Sequence, residues 1–176
     1  PVTLEEIIYH AKAVRRGAPN TLIVGDMPYM SYQVSPEQAL TSAGRIIKES
    51  GADCIKMEGG EYFAPYVEKI VAAGIPVIGH IGLTPQSIKE MGGYKVQGKT
   101  SEQARQLMDD AMAVEQAGAF AIVLECVPAE LGKAISRALT IPTIGIGAGS
   151  GCDGQVLVIT DLLGVSDRPV PKFVKK

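Results

Sequence analysis

Two apolar periods alternate along the chain. Stretches with apolar residues every three or four positions give way to short unbroken apolar runs, and each run closes on a polar or glycine-rich segment. The first spacing sets side chains on one face of a helix, and the second is what a strand covered on both faces needs. The unit recurs at residues 49–58, 72–80, 116–125 and 138–147. Gly51, Gly74 and Gly118 stand just past the helical stretches, where a chain leaving a helix takes positive φ. Helix starts are marked as well. Ser35-Pro36-Glu37-Gln38 supplies a cap, a first-turn proline and a glutamine three residues after the cap, and Ala39, Leu40, Ala43, Ile46 and Ile47 follow on the helical period. Thr3 caps another amphipathic stretch to Val14, with Ile7, Ile8 and Ala11 on one face. Strands are predicted at residues 21–25, 54–57, 76–78, 120–124, 142–146 and 155–159.

Helices alternating with short apolar strands imply a parallel sheet with right-handed crossovers. An open doubly wound sheet gathers its site at one switch point, whereas a closed barrel draws on most of its strand ends. Here the polar strand ends are spread over most units, which favours an α/β (β/α)8 TIM barrel. A barrel has eight units and typically about 250 residues. The chain offers six strands and opens on a helix. The expectation is therefore one barrel domain over residues 1–176, lacking its first strands and incomplete at both ends.

Four apolar strands end in a titratable group. Ile23-Val-Gly-Asp26 ends in a carboxylate, Ile55-Lys-Met-Glu58 in Lys56 and Glu58, Ile78-Gly-His80 in an imidazole and Val123-Leu-Glu125 in another carboxylate. Lys56 and Glu58 are two apart, so both point to one face, toward the barrel interior. Each group alone reads equally as a surface side chain capping the next helix. All four converging at the C-terminal strand ends read as an active site. Three carboxylates with one lysine suggest a hard cation with oxygen ligands, Mg²⁺. Zinc does not suit the chain, because His10 and His80 are far apart and no cysteine has zinc-ligand spacing. His10, beside Tyr9 in a helix, reads as a packed or solvated histidine. Gly145-Ile-Gly-Ala-Gly149 lacks the full dinucleotide spacing. It reads as a tight turn that lets a ligand approach the backbone. Gly92-Gly-Tyr-Lys-Val-Gln-Gly98 reads as a lid over the site or as a plain loop.

Composition narrows the function classes. A net charge of −2 excludes binding driven by nucleic-acid phosphates, and an aromatic share of 5% disfavours base stacking. Hydrophobic residues at 46% suit a globular core. No apolar run approaches the roughly 20 residues of a membrane span, and no signal-peptide pattern opens the chain. The three cysteines, Cys54, Cys126 and Cys152, fit reduced thiols in a cytoplasmic protein. The basic tail, residues 172–176, reads as solvated.

Together, seven motifs resemble the ketopantoate hydroxymethyltransferase family over essentially the whole chain. They are His10-Ala-Lys-Ala-Val-Arg-Arg-Gly-Ala-Pro-Asn20, Gly25-Asp-Met-Pro-Tyr-Met30, Lys56-Met-Glu-Gly-Gly60, Gly79-His-Ile-Gly-Leu-Thr-Pro-Gln-Ser87, Gly92-Gly-Tyr-Lys-Val-Gln-Gly98, Leu124-Glu-Cys-Val-Pro128 and Gly145-Ile-Gly-Ala-Gly149. The resemblance implies a (β/α)8 barrel, usually assembled as a homodecamer. It implies transfer of a hydroxymethyl group from 5,10-methylenetetrahydrofolate to 3-methyl-2-oxobutanoate, giving ketopantoate for pantothenate and coenzyme A synthesis. It implies Asp26 as a Mg²⁺ ligand lying against the substrate, Glu58 as a second metal-site acid, Lys56 as a substrate-binding residue and Glu125 as the proton acceptor. His80 takes no fixed role. The family carries a further strand before the first helix here, ending in a Val-Gly-Asp-Ser type sequence whose Asp also binds the metal. That strand, the first barrel strand and the C-terminal helix are not among these residues. Two alternatives share part of this evidence: a Mg²⁺-dependent 2-oxo acid lyase or mutase of the phosphoenolpyruvate mutase and isocitrate lyase type, and a non-catalytic barrel fragment.

Overall fold

The computed structural model describes residues 2–165 and 170–174, so the last two lysines of the basic tail lie outside the described residues. Helix α1 (Leu4–Gly17) begins at the expected cap: the Glu6 N–H donates to Thr3 Oγ1 at 3.2 Å, and the Thr3 N–H donates to the Glu6 carboxylate at 2.7 Å. Helix α2 (Pro36–Ser50) starts at Ser35 and ends at Gly51, whose φ of 75° is the left-handed turn foreseen for it. Between them lies β1 (Val24–Asp26). The order continues with β2 (Cys54–Glu58), α3 (Ala64–Ala72), β3 (Val77–Gly82), α4 (Ser101–Gln116), β4 (Ala121–Glu125), α5 (Ala129–Ala138), β5 (Thr143–Ile146), β6 (Gly154–Gln155) and α6 (Ile159–Leu162). Among the described residues no helix is long and apolar enough to cross a membrane.

The six strands among the described residues are all parallel, and each pairs with the next in sequence, from β1 to β6. A doubly wound sheet reverses its order at a switch point, and this sheet does not. Its two faces also differ. Ile55, Met57, Val77, Ile81, Ile122 and Leu124 belong to the large core shared with the helices, including Ala43, Ile46, Val114 and Ile135. The opposite face carries a separate small cluster of Cys54, Ile78, Ala121, Val123 and Ile146. Helices on one side and a small apolar lining on the other are the halves of a singly wound barrel wall. The molecule is a six-stranded part of a (β/α)8 barrel, as the polar strand ends predicted.

Three strand boundaries differ from the pattern by three residues or more, and one of them is the end of β3, which was expected at residue 78 and runs on to Gly82. The first strand starts at Val24 rather than at residue 21. Ile23 is tied instead to the loop before β2, receiving the Asp53 N–H at 2.9 Å and donating to the Asp53 carboxylate at 2.8 Å. The sixth was expected at residues 155–159 and is only Gly154–Gln155, with α6 opening at Ile159. Its one ladder neighbour among the described residues is β5, matched over two residues. Val156 to Val158 leave the sheet with their side chains exposed, so an apolar run did not suffice without a second partner strand.

Close helix packing on the outer face depends on Gly79. A Cβ there would stand 2.4 Å from Val114 Cγ1 on α4, in a core with no room to move. Gly79→Ala should therefore destabilise the protein by about 1–3 kcal/mol, and Val114→Ala in the same chain should recover part of that loss. Urea unfolding of the two single variants and the double variant measures both effects.

Candidate active site

The register of the sheet assembles the charged residues. Asp26 is level with Lys56, Glu58 with His80, and Glu125 with Gly82 and Ile146. Side chains alternate across a strand, so Lys56 and Glu58 follow Cys54 onto the inner face while Ile55 and Met57 face the helices. Two layers therefore stack on that face: an apolar floor and, above it, the polar strand ends.

The five expected residues meet there. Lys56 Nζ lies 3.0 Å from Asp26 Oδ1 and 3.0 Å from His80 Nδ1, and 3.9 Å from Glu58 Oε1. His80 Nδ1 is 3.8 Å from Glu58 Oε1, and His80 Nε2 is 3.1 Å from Glu125 Oε2. One continuous line of contacts runs Asp26–Lys56–His80–Glu125 across four adjacent strands. An ammonium only donates, so a charged Lys56 makes His80 Nδ1 the acceptor and leaves the ring proton on Nε2, facing Glu125. That Nε2 is buried and makes no well-aligned hydrogen bond, with the Glu125 carboxylate the group beside it. The line borders a cavity of about 1110 Å³ on the inner face of the sheet, whose walls also include Tyr29, Gln86 and Tyr94.

Exposure grades along the line. His80 is 3% exposed and Glu58 6%, while the Lys56 side chain is 17% and the Asp26 side chain 50% exposed. Burial pushes the Glu58 carboxyl above its ordinary value, and the charges of Lys56 and His80 oppose that push without cancelling it. Glu58 is also held in place. The Gln86 N–H donates to Glu58 Oε2 at 3.0 Å, and the Glu58 N–H donates to the Tyr32 hydroxyl at 3.2 Å. Burial followed by the nearby Glu58 charge pushes the Tyr32 phenol up, so it stays a neutral donor and acceptor.

The backbone around Glu125 is fixed from three sides. Its carbonyl accepts the Leu83 N–H at 2.8 Å, the Cys126 N–H donates to Ile146 O at 2.9 Å, and the Gln97 N–H donates to Cys126 O at 2.8 Å. Gly82 makes the first contact possible, since a Cβ there would stand 2.3 Å from Glu125 O. Cys126 itself adopts a φ of 49°, a conformation that non-glycine residues adopt only under constraint. Gln97 thus ties the Gly92–Gly98 loop to the strand that carries Glu125. Tyr94, in the middle of that loop, is 74% exposed at the cavity rim.

Other candidates fall elsewhere. His10 is exposed on α1 and meets Tyr9 edge to face, as a solvated histidine does. The turn at Gly145 to Gly149 was expected to admit a ligand to its backbone. It packs on α5 instead: a Cβ on Gly149 would stand 2.5 Å from Ala129 Cβ, and one on Gly132 would stand 2.6 Å from Ala148 O. Gly149 thus serves helix packing, whereas a Cβ on Gly145 would meet Cys152 and Gln155 and one on Gly147 would meet Phe173. Tyr32 and Gln86 were not foreseen. Gln86 lies inside a quoted motif, but a neutral amide gives no charge signal, and Tyr32 follows a loop with no period.

Asp26 and Glu58 approach the same Lys56 ammonium, so one cation already lies within reach of both. Among the described residues no three His, Cys, Asp or Glu side chains converge on one point. Two carboxylates suit an ion that takes one or two protein oxygens and completes its shell with water and ligand oxygens, which is the habit of Mg²⁺. The donor set therefore fits Mg²⁺ as an open site.

Removing the Glu58 charge should reveal its burial. A carboxyl held above its ordinary 4.5 in the folded state binds its proton more tightly there than in the unfolded chain. The stability it lends is complete below that value and is lost as pH rises through the folded one. Glu58→Gln never ionises. Its stability relative to the parent should climb as pH rises from 4.5 and then level off, as read from thermal unfolding across pH. A relative fall would mean that Lys56 and His80 outweigh burial.

The chain is 62% identical to the 3-methyl-2-oxobutanoate hydroxymethyltransferase of Heliobacterium modesticaldum over 176 residues, covering 100% of this chain and 64% of that protein. It is 55% identical to the same-named protein of Syntrophus aciditrophicus, covering 100% of this chain and 65% of that one. The chain thus spans a little under two thirds of these relatives' length. Among solved structures, it is similar to one described as a phosphonomutase from Burkholderia cenocepacia J2315, with a TM-score of 0.64 and 14% identity over 82% of this chain and 62% of that one. It also resembles phosphonopyruvate hydrolase, with a TM-score of 0.51 and 16% identity over 82% of this chain and 52% of that one. At such identities these structures share the fold, and the lyase and mutase alternative gains nothing beyond it. The ketopantoate hydroxymethyltransferase family model matches residues 1–176, and with the identities above this chain belongs to that family.

Proposed function

We propose that the protein transfers a hydroxymethyl group from 5,10-methylenetetrahydrofolate to 3-methyl-2-oxobutanoate, forming 2-dehydropantoate (ketopantoate) for pantothenate and coenzyme A synthesis. The observation that carries this reading is the contact line Asp26–Lys56–His80–Glu125 at the rim of the inner cavity. It sets a cation and a carboxylate base in one site, which is what drawing a proton from carbon beside a carbonyl requires.

Asp26 and Glu58 would hold Mg²⁺, which when bound supplies Lewis-acid polarisation of the 2-oxo acid. Lys56 faces the oxygen on which negative charge grows as the C3 proton leaves, and its ammonium stabilises that charge. Glu125 takes the proton. His80 Nε2 lies 3.1 Å from Glu125 Oε2, and a small turn of that carboxylate would align a hydrogen bond that orients it. The resulting enolate carbon attacks the one-carbon unit of the folate. Water completes the hydroxymethyl group and tetrahydrofolate leaves. The Gly92–Gly98 loop, pinned through Gln97 and free at Tyr94, is suited to cover the cavity during these steps.

The same reading takes residues 1–176 as part of a single barrel domain. It takes the protein to be a cytoplasmic homo-oligomer, a decamer by family likeness, that acts on small molecules.

A general base contributes about 10²–10⁴-fold to such a step. In the full-length protein, Glu125→Gln should slow Mg²⁺-dependent deuterium exchange at C3 of 3-methyl-2-oxobutanoate by that order, without folate present. Proton NMR of the methine signal measures the rate. Exchange at the parent rate would assign the base elsewhere.

A further inference from the structure

Gln86 gathers more of the site's scaffold than any charged residue does. Its backbone N–H donates to Glu58 Oε2 at 3.0 Å. Its amide Nε2 donates to Met27 O, next to Asp26, at 2.8 Å. Its amide Oε1 accepts from the Tyr32 hydroxyl at 3.1 Å and from Gln33 Nε2 at 3.1 Å. The Tyr32 hydroxyl in turn lies 3.2 Å from both the backbone N and O of Glu58. Met27 is fully buried, and its N–H donates to Lys56 O at 3.0 Å. One side chain from the loop after β3 therefore links the end of β1 to the end of β2.

We infer that Gln86 is a positioning residue that fixes the separation of the Asp26 and Glu58 carboxylates and thereby the affinity of that pair for a divalent cation. The inference rests on the cation reading above and deepens it. Asp26 sits at the end of a three-residue strand and is half-exposed. The ladder to β2 fixes its backbone on one side alone. The Gln86 amide holds the following residue from above, so that two carboxylates on different strands present their oxygens at one distance. Groups that orient ligands in this way typically change metal affinity about 10–100-fold when removed. A Met at this position fills the same volume and keeps the backbone N–H to Glu58. It can neither donate to Met27 O nor accept from Tyr32.

The test uses the full-length protein and Mn²⁺ as the probe, with binding followed by the EPR signal of the free ion. Gln86→Met should bind Mn²⁺ about 10–100-fold more weakly than the parent. Its apparent Mg²⁺ activation constant should rise by the same factor, while the rate at saturating Mg²⁺ returns to that of the parent. A merely structural role would lower the saturated rate and leave the Mn²⁺ affinity of the folded fraction alone. If Gln86→Met does not fold, Gln86→Asn replaces it. It keeps the amide and the backbone N–H, falls one methylene short of Met27 O, and should lose affinity in the same direction. Parent-like Mn²⁺ affinity in the folded variant overturns the role of Gln86 and leaves the cation reading standing. No Mn²⁺ binding by the parent overturns the cation reading and the inference with it.

Discussion

A lysine set on the inner face of a parallel sheet brings an ammonium into a region floored by Cys54, Ile78, Ala121, Val123 and Ile146. The Lys56 side chain is largely buried, and an ammonium so placed without partners would be costly. Lys56 meets that demand through its neighbours, with Asp26 on the strand before it, His80 on the strand after it and Glu58 two residues on. The attraction is mutual. Glu58 is more deeply buried than Lys56, and without the ammonium it would be an uncompensated charge, a change that in buried pairs typically costs about 3–5 kcal/mol. The site is held at the strand ends because only there do the carboxylates reach both the lysine and the open cavity.

Backbone geometry makes this gathering possible. Consecutive parallel pairing keeps β1 to β4 in order, so charged residues at the strand ends become neighbours. Gly79 and Gly82 then act on opposite sides of β3. The first lets α4 press on the outer face, and the second lets the end of β4 come against β3 at the Glu125 carbonyl. The left-handed Cys126 turns the chain immediately after Glu125, and Gln97 closes on that turn. Local strain and close approach are thus concentrated beside the residue proposed as the base, as is common where a side chain must be held in one orientation.

Much of this is written in the sequence, because the fold depends on period and the site on charge. Two residues apart on an apolar strand, Lys56 and Glu58 had to share a face, and the structure sets both on the inner one. The same logic found Asp26, His80 and Glu125. It failed where the outcome depended on partners. Residues 155–159 are as apolar as a strand, but only Gly154–Gln155 found a neighbour to pair with. The Gly145 to Gly149 turn has the composition of a ligand cradle, yet its last glycine admits α5. Tyr32 and Gln86 carried no charge or period to mark them, since their importance lies in hydrogen bonds between loops distant in sequence.

Membership of the ketopantoate hydroxymethyltransferase family and the geometry of the strand ends support one proposal above the others: Asp26 and Glu58 share a divalent cation beside Lys56, within reach of Glu125 as the base. The most direct measurement is the anomalous scattering of Mn²⁺ in crystals of the full-length protein grown with 3-methyl-2-oxobutanoate. The account predicts a peak within about 2.0–2.3 Å of carboxylate oxygens of both Asp26 and Glu58, with the 2-oxo acid between it and Glu125. A peak bound by neither carboxylate would contradict it.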